Sequence, residues 1–373
     1  MRKIYIITGE ASGDLHASNL MKAMLHSDNQ LDFRYWGGDQ MKAVGGTLVK
    51  HISDLAFMGF VEVVMNLRTI LGNIKFCKQD ILEYKPDVLV LVDYPGFNLR
   101  IAKWAKSQGI KVVYYISPQI WAWKQNRVYT IKEVVDKMLV ILPFEKEFYA
   151  KFGMDVCYVG HPLLDAIEDY RERLEKTNLH EQYQLDNRPI IAILPGSRKQ
   201  EISKKLPIML ESTKNITAYQ LVIAGAPALP SSYYDTFLTN YKNVKILHGQ
   251  TYNLLSISTA ALVTSGTATL EAALFEVPEV VCYKGSPISY HIAKRLIKVN
   301  YISLANLIMD REVVRELIQS ECNAKQVREE LEMILPLGKK HDKLKADYKI
   351  LIETLGKGGA SQKAAKEILS LLA

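Results

Sequence analysis

The chain has 373 residues, of which 48% are hydrophobic and 23% charged, and its formal net charge is +7. This length favours two or three domains over a single core, and no apolar run reaches the ~18 residues that a membrane span requires. The composition indicates a soluble globular protein. Its modest basic surplus favours anionic partners such as nucleotides, phospholipid headgroups or nucleic acid.

The cysteines and the amino end indicate a cytoplasmic protein. Cys77, Cys157, Cys282 and Cys322 are widely spaced and form no C-x-x-C pair, so we expect neither disulfides nor a zinc site. The first predicted strand begins at Lys3, which leaves no room for a signal peptide. We expect no metal and no cofactor.

The first element is a buried strand over 2–8, which enters a glycine-rich turn, Gly9–Asp14, and then an amphipathic helix over 15–25. The amino end of a helix offers free N–H groups and a positive dipole end, so this turn resembles a phosphate cradle. Its spacing is neither G-x-G-x-x-G nor G-x-x-x-x-G-K-[ST], so it predicts neither a dinucleotide site nor a P-loop.

The rest of the chain alternates strands and helices in two rounds. The first round has predicted strands at 32–36, 88–93, 111–116, 138–142 and 156–159; after a polar stretch, the second has strands at 189–194, 220–224, 244–247, 261–264 and 279–283. The alternation predicts two parallel α/β domains, over residues 1–168 and 169–345. A helical tail over 346–373 follows. Its last helix can pack back on either domain, and we place it on the N-terminal one.

The strand Val88–Val92 ends abruptly at Asp93, and Pro95 and Gly96 then force a turn. Ligands of open α/β sheets bind beyond the carboxyl ends of the strands, so Asp93 lies where chemistry usually occurs. The alternative is that Asp93 caps the helix that begins near Leu99. The stretch alone favours the two interpretations equally.

The segment Phe57–Phe76 is apolar on more than one helical face. One stripe comprises Phe57, Phe60, Val61, Val64, Leu67, Leu71 and Ile74. A second set lies off that stripe: Met58, Val63, Met65 and Ile70. Either this is a well-buried helix, or the second set is a Met-rich surface that contacts lipid.

Two loops of the second domain have features of phosphate sites. In Leu194–Arg198, Gly196 allows a close backbone approach, Ser197 can donate and Arg198 can fork onto phosphate. In Thr264–Glu271, hydroxylated residues surround Gly266 at a helix start, which suits a diphosphate, and Glu271 suits a sugar hydroxyl pair. The alternatives are ordinary turns in which Ser197, Thr267 or Thr269 caps a helix and Glu271 completes a capping box.

Two motifs of the first domain are less specific. The loop Tyr115–Arg127 contains Trp121 and Trp123, which either pack in the core or form the wall of an acceptor pocket. His161, in Gly-His-Pro, is either a structural residue or a proton carrier that faces the cleft between the domains.

The chain contains no Asp-x-Asp, the usual ligand pair of single-domain transferases that hold the diphosphate with a metal. The two domains therefore indicate a nucleotide-sugar transferase that stabilises its leaving diphosphate with helix dipoles and arginine.

Seven motifs, in order along nearly the whole chain, resemble those of the lipid-A-disaccharide synthase family. They are Gly9-Glu-Ala-Ser-Gly-Asp14, Met58-Gly-Phe-Val-Glu-Val63, Asp93-Tyr-Pro-Gly-Phe-Asn98, Ser117-Pro-Gln-Ile-Trp-Ala-Trp123, Gly160-His-Pro162, Leu194-Pro-Gly-Ser-Arg198 and Ser265-Gly-Thr-Ala-Thr-Leu-Glu271. Two family motifs lack their proline and read Leu304-Ala-Asn306 and Arg315-Glu-Leu-Ile-Gln319.

The resemblance implies a GT-B fold of two Rossmann-like domains with a cleft between them, and an inverting glycosyltransferase without a metal. Such an enzyme joins UDP-2,3-diacylglucosamine to 2,3-diacylglucosamine 1-phosphate (lipid X), giving a β-1,6-linked disaccharide for lipopolysaccharide, and UDP. It further implies peripheral contact with the anionic cytoplasmic face of the inner membrane. No nucleic acid is expected, and a homodimer stays open.

The resemblance also assigns residues. It makes Asp93 the base. Because the pKa of an ordinary aspartate is ~3.9, either burial raises the pKa of Asp93 or His161 shares the proton transfer. The donor residues are Gly196, Ser197, Arg198, Ser265, Gly266, Thr267, Thr269, Glu271 and Asn306. The acceptor and lipid residues are Ser12, Met58, Asn98, Trp121, Trp123 and Arg127. The rival hypotheses are a UDP-N-acetylglucosamine epimerase and a two-domain protein that closes on a nucleotide without chemistry.

Overall fold

The computed structural model describes residues 1–55, 67–174, 178–241, 243–286, 290 and 294–372. The chain divides into two compact units. The first comprises Met1–Asp165 together with Lys357–Ala373, and the second comprises Ala166–Gly356. Each unit is built around a parallel sheet, so the α/β prediction is confirmed.

The sheet of the first unit has the strand order β3-β2-β1-β4-β5-β6-β7 within the described residues. Its strands are β1 (Arg2–Ile7), β2 (Leu31–Gly37), β3 (Thr47–His51), β4 (Val88–Val92), β5 (Lys111–Tyr115), β6 (Lys137–Val140) and β7 (Cys157–Tyr158). Helices between them are α1 (Ala11–Ser27), α2 (Asp39–Val44), α3 (Leu67–Tyr84), α4 (Pro95–Ser107), α5 (Arg127–Val134) and α6 (Pro143–Ala150). All five residues of β4 are fully buried, as expected of a parallel strand covered on both faces.

Helix α7 (Pro162–Arg173) leads into the second unit, whose described strands have the order β10-β9-β8-β11-β12-β13. These strands are β8 (Ile190–Leu194), β9 (Gln220–Gly225), β10 (Val244–His248), β11 (Ser258–Thr264), β12 (Glu279–Tyr283) and β13 (Arg315–Ile318). The helices are α8 (Leu179–Gln182), α9 (Lys199–Thr213), α10 (Ser231–Leu238), α11 (Thr251–Ser256), α12 (Thr267–Leu274), α13 (Leu304–Met309), α14 (Ala324–Ile334) and α15 (His341–Leu355), and α16 (Ala360–Leu369) follows in the first unit.

Two strands were not predicted: β3 and β13, each of which lies at one edge of its sheet. Polar residues interrupt both, at Lys50 in β3 and at Arg315 and Glu316 in β13, so neither has the continuous apolar run of a central strand. In β13, Glu316 has a structural role, because its carboxylate accepts hydrogen bonds from the backbone N–H groups of Ile302 and Ser303.

The end of the chain differs from the predicted tail, which begins at residue 346. Helix α15 belongs to the second unit, where Tyr348 and Leu351 are buried and Asp347 pairs with Arg311 at 2.8 Å. Only the segment from Lys357 onward belongs to the first unit.

Helix α16 packs against α1 in the core of the first unit. Its inward residues are Ala364, Ala365 and Ile368, which are fully buried. The carboxylate of Asp165 accepts hydrogen bonds from the N–H groups of Gly359 and Ser361 at 2.6 and 3.0 Å. These N–H groups have no partner inside the helix, so Asp165 stabilises its amino end.

Helix α3 covers the second part of the segment predicted to be apolar, and its inward face differs from the predicted stripe. Ile74, Cys77 and Ile81 are buried, whereas Leu71 is 52% exposed. Asn73 is buried on the inward face instead of Leu71. The amide of Asn73 can be buried because its Oδ1 accepts a hydrogen bond from Lys50 Nζ at 2.9 Å. Met58, Val63 and Met65 of the predicted lipid surface lie outside the described residues.

Candidate active site

The strand orders define one switch point in each sheet. In the first sheet, the chain adds β2 and β3 on one side of β1 and then adds β4 to β7 on the other side. In the second sheet, it adds β9 and β10 on one side of β8 and then β11 to β13 on the other. Ligands of open α/β sheets bind beyond the carboxyl ends of the strands at such points. Four loops are therefore of interest: those after β1 and β4 in the first unit, and those after β8 and β11 in the second.

Asp93 follows β4 in a strained turn. Asp93 and Tyr94 both have positive φ angles, 47° and 51°, a conformation that L-residues rarely adopt. The carbonyl oxygen of Asp93 is held by Asn98 Nδ2 at 2.7 Å and by the hydroxyl of Tyr114 at 2.6 Å. Helix α4 begins at Pro95 with Tyr94 as its N-cap, so the interpretation of Asp93 as the N-cap is wrong.

The turn brings the first two strand-end loops together. The ring of Tyr94 lies directly against Gly9, where a Cβ would come within 2.3 Å of ring carbon, so only glycine fits there. Glu10, the next residue, is exposed and raises the pKa of Asp93. Burial contributes more, and together they raise that pKa to about 6. Asp93 is thus a carboxylate at neutral pH with a higher proton affinity than an ordinary aspartate.

Asn98 has a supporting position. It is fully buried, and its Nδ2 donates to the carbonyl of Val92 at 3.3 Å as well as to that of Asp93. The amide therefore fixes the end of β4, and the structure does not present it at the surface. Ser12, near the start of α1, is exposed.

Asp14, the last residue of the predicted glycine-rich turn, lies in the first turn of α1 and has a structural role. Its carboxylate accepts hydrogen bonds from Gly38 N at 2.7 Å and from Met41 N at 3.1 Å, so it stabilises the start of α2. The first-domain turn therefore already contains a buried anion, which does not favour the predicted resemblance to a phosphate cradle.

His161 is buried inside the first unit. Its Nδ1 accepts a hydrogen bond from the backbone N–H of Leu163 at 3.2 Å. Burial, reinforced by the neighbouring His16, lowers the pKa of His161 to about 3. The imidazole is therefore neutral at physiological pH and a weaker base than Asp93.

The two predicted tryptophans occupy different environments. Trp121 is 6% exposed and packs edge-on against Phe144, with ring centroids 5.0 Å apart. Trp123 is 39% exposed, and Lys124 Nζ lies 4.5 Å from the centroid of its ring. Arg127 Cζ lies 5.6 Å from the same centroid. Trp121 belongs to the core, and Trp123 belongs to an exposed cationic cluster.

In the second unit, the strand-end loops enclose a cavity of about 390 Å³, a size that suits a small ligand. Predicted donor residues that line it are Gly196, Ser197, Arg198, Ser265, Gly266, Thr267 and Glu271. The structure thus brings together most of the two loops that the sequence singled out.

The loop after β8 forms one wall of the cavity. Gly196 has a φ of 113°, and a Cβ there would lie 2.6 Å from Glu201 Oε2. Arg198 is the N-cap of α9 and is half exposed, with its guanidinium 3.4 Å from Glu201 Oε1. Ser197 therefore does not cap the helix, and Arg198 is loosely held by Glu201.

The loop after β11 forms the opposite wall. Helix α12 begins at Thr267 with Gly266 as its N-cap, so the capping-box interpretation is wrong. Thr269 is fully buried and donates its hydroxyl to the Gly266 carbonyl at 2.8 Å, so it supports the loop without lining the cavity. Burial raises the pKa of Glu271, and the hydroxyl of Tyr252 lies 3.4 Å from its Oε1.

Asn306 lies apart from the residues that line this cavity. It is fully buried, and its Oδ1 accepts hydrogen bonds from Val313 N and Val314 N at 2.7 and 2.9 Å. Its Nδ2 donates to Val314 O and to Glu316 Oε1, both at 2.9 Å. The amide is saturated within the loop before β13, so the structure does not support the predicted donor contact.

Sequence reasoning missed three parts of the cavity lining: Glu201, the turn Gly225–Pro227 after β9, and Thr251 at the start of α11. The turn has a sequence signal, since glycine and proline follow a predicted strand as they do after β8. Glu201 has none, because a glutamate in the first turn of a helix is ordinarily a solvated residue.

Among the described residues, no helix is long and apolar enough to cross a membrane. In the same ranges, no cluster of three or more His, Cys, Asp or Glu residues is placed to hold a metal ion.

The fold class is shared with the solved structures of an epimerase and a glycosyltransferase. A UDP-GlcNAc 2-epimerase from Neisseria meningitidis bound to UDP-GlcNAc has a TM-score of 0.69 at 16% identity, over 99% of this chain and all of the other. The calicheamicin glycosyltransferase CalG4 has a TM-score of 0.62 at 15% identity, over 100% and 98% of the two chains. These likenesses define the GT-B type of fold, as predicted.

Sequence relatives define the family. The model of the family "Lipid-A-disaccharide synthetase" matches residues 4–370. The lipid-A-disaccharide synthases of Syntrophus aciditrophicus and Geobacter metallireducens are each 38% identical to this chain, over 99% and 100% of it and 97% of each relative. The chain belongs to the lipid-A-disaccharide synthase family and is a glycosyltransferase.

Proposed function

We propose that this protein transfers a diacylated glucosamine from UDP to the 6-hydroxyl of 2,3-diacylglucosamine 1-phosphate, forming a β-1,6 bond and releasing UDP. The observation that carries the chemistry is Asp93, a carboxylate of raised pKa at the carboxyl end of β4. Family membership supports the substrates, and the cavity in the second unit supports a nucleotide-sugar donor.

Asp93 is the proposed general base. It removes the proton of the acceptor hydroxyl as that oxygen attacks the anomeric carbon and the bond to the diphosphate breaks. An ordinary aspartate, with a pKa of ~3.9, is a poor base at neutral pH. A value of about 6 leaves Asp93 ionised and brings its proton affinity closer to the working pH. We assign no proton transfer to His161, because its pKa of about 3 makes it the weaker base.

The donor is proposed to occupy the cavity of the second unit. Backbone N–H groups at the start of α12, with Ser265 and Thr267, face the diphosphate, and Arg198 supplies a charge-assisted contact. Glu271 accepts from the ribose hydroxyls. The leaving diphosphate is thus stabilised by a helix dipole and a guanidinium, and no step requires a metal.

One product analysis tests the reaction and separates it from its rivals. Purified protein is incubated with the acylated UDP-sugar, with and without the acylated acceptor. The proposal predicts disaccharide and UDP only when the acceptor is present. An epimerase would alter the donor without any acceptor, and a protein that only binds nucleotide would release no UDP.

We further propose that the protein meets the membrane peripherally, on its cytoplasmic side, through α3. Leu71 and Phe76 are 52% and 48% exposed on this helix, and Lys75 between them is exposed. Exposed apolar side chains beside a cation suit an anionic lipid surface, and the acyl chains of both substrates must leave the bilayer.

Replacing both side chains, Leu71→Ser with Phe76→Ser, should reduce binding to anionic vesicles by roughly tenfold or more, because each buried side chain contributes about 1.5–3 kcal/mol. Vesicle sedimentation measures this effect. The control is Ile350→Ser, which removes an apolar residue of 47% exposure from α15. Equal loss in the control, or none in the double variant, would place the membrane contact elsewhere. Sedimentation velocity of the same preparations measures whether the protein forms a homodimer.

A further inference from the structure

The cationic cluster in the loop after β5 includes two residues that the resemblance assigned to the acceptor or its lipid, Trp123 and Arg127, but it takes no part in the chemistry proposed above. It consists of Trp123, Lys124 and Arg127, and both cations lie against the ring of Trp123. In the ranges that the structure describes, neither cation forms an ion pair or a side-chain hydrogen bond. Two cations without a counter-ion on one aromatic side chain are a feature of sites that bind anions.

The loop is held rigidly from inside. Gln125 Nε2 donates to the Trp121 carbonyl at 3.1 Å, and the N–H of Arg127 donates to the Lys124 carbonyl at 3.0 Å. Lys124 itself has a φ of 52°, so its backbone is in the strained left-handed region. Trp121, buried against Phe144, anchors the loop in the core. The backbone that carries the two cations is therefore held in place.

The cluster lies on the Asp93 side of the first unit. Strands β4 and β5 are neighbours in the sheet, and the hydroxyl of Tyr114, on β5, donates to the Asp93 carbonyl at 2.6 Å. Burial, and then Asp93, raise the pKa of that hydroxyl, whereas Arg127 acts in the opposite direction. The guanidinium is thus electrostatically close to a group that contacts the base.

We propose that Lys124 and Arg127 bind the 1-phosphate of the acceptor and so determine that the enzyme prefers a phosphorylated acceptor. This inference rests on the proposed function. The acceptor carries its 1-phosphate and its reacting 6-hydroxymethyl group on the two ring carbons that flank the ring oxygen. A site that recognises it must therefore offer a base and a dianion receptor in neighbouring loops, and Asp93 and the cluster follow the neighbouring strands β4 and β5.

A phosphomonoester is dianionic or nearly so at neutral pH and has three strong acceptor oxygens. Arginine can bind two of these oxygens with its planar fork, and lysine adds a compact point charge. The same cations would also attract an anionic phospholipid headgroup. The test must therefore separate a phosphate on the substrate from a phosphate on the membrane.

The test uses Lys124→Gln with Arg127→Gln in the full chain. Two acceptors are compared, one with the 1-phosphate and one without it, both in neutral detergent micelles. The double variant should raise KM for the phosphorylated acceptor roughly 10- to 100-fold with little change in kcat. The ratio of kcat/KM for the two acceptors should fall toward one. Arg127→Lys should give an intermediate ratio, because it keeps the charge and loses the fork.

Lys103→Gln with Lys132→Gln is the matched control, since both lysines are exposed residues of the first unit and their loss changes the net charge by the same two charges. Calorimetry of UDP binding and circular dichroism report whether the variants are folded. An unchanged acceptor ratio in the folded double variant would overturn the inference. So would a loss that occurs only on anionic vesicles, which would assign the cluster to headgroups. Failure of the wild-type protein to form disaccharide would instead overturn the proposed function.

Discussion

Each unit has a parallel sheet with one switch point, but the loops beside the two switch points carry different side chains. Strands β4 and β11 hold equivalent positions, since each lies across the switch point from the first strand of its sheet, β1 or β8. The turn after β4 presents a carboxylate, Asp93, whereas the turn after β11 presents small hydroxylated residues around Gly266. In the proposed function, one fold thus supplies a base in one unit and a receptor for an anion in the other.

The supporting residues show how each loop becomes suited to its role. In the first unit, Tyr94 covers Gly9 and Glu10 lies close to the carboxylate, so the surroundings hold a proton more tightly. In the second, Gly196 and Gly266 have positive φ angles, which open the backbone toward the cavity. The comparison teaches that the topology fixes where a ligand binds, while the side chains after each strand decide which charge the site favours.

The strongest test of this comparison removes the base from the first unit. Asp93→Asn should lower kcat by ~10²–10⁴-fold, the usual effect of losing a general base. Asparagine tolerates the left-handed conformation of residue 93, so the turn should be retained. UDP affinity, measured by calorimetry, should match that of the wild type. Near-normal turnover in this variant would show that the carboxylate serves only the turn.

The next largest effect is expected in the second unit. Arg198→Ala and Glu271→Ala should each weaken UDP binding, the arginine variant by about 1.5–3 kcal/mol, because its contact with phosphate is charge-assisted. Isothermal calorimetry measures the loss. Arg173→Ala is the control, since Arg173 is an exposed residue of the same unit that pairs with Asp169. If both site variants bind UDP as tightly as the control does, the nucleotide lies outside this cavity.

The sequence predicted the central parts of both sheets well, for a physical reason. Fully buried parallel strands are continuous apolar runs, and turn residues mark their carboxyl ends, so Asp93 and the Gly196 and Gly266 loops could be found without coordinates. Strands β3 and β13 lack that signal because charged residues interrupt them, which is why they were missed.

Hydrogen-bonding roles were harder to predict than positions. Asn98, Asn306 and Thr269 carry polar side chains in motifs that resemble the family, yet the structure uses all three to hold loops in place. Sequence does not distinguish an amide that contacts a ligand from one that saturates a backbone carbonyl, because both need the same residue type. The charged surroundings of Asp93 could not be predicted either, because Glu10, which lies near it in the structure, is 83 positions away in the chain.

Glu10 offers the smallest and sharpest test of how the first unit raises the proton affinity of its base. Glu10 and burial both raise the pKa of Asp93, which reaches about 6, and kcat/KM should therefore fall as the pH drops below that value, because the base becomes protonated. Glu10→Gln removes a neighbouring negative charge, which favours the ionised form of Asp93 and lowers its pKa. The acidic limb of the pH profile should move to lower pH by less than about one unit, since burial, the larger cause, remains.

Glu83→Gln is the control for this prediction. It removes the same charge from the carboxyl end of α3, which leads into the opposite end of β4. Equal shifts in both variants would indicate a general effect of net charge, and an unshifted limb in Glu10→Gln would leave burial as the sole cause.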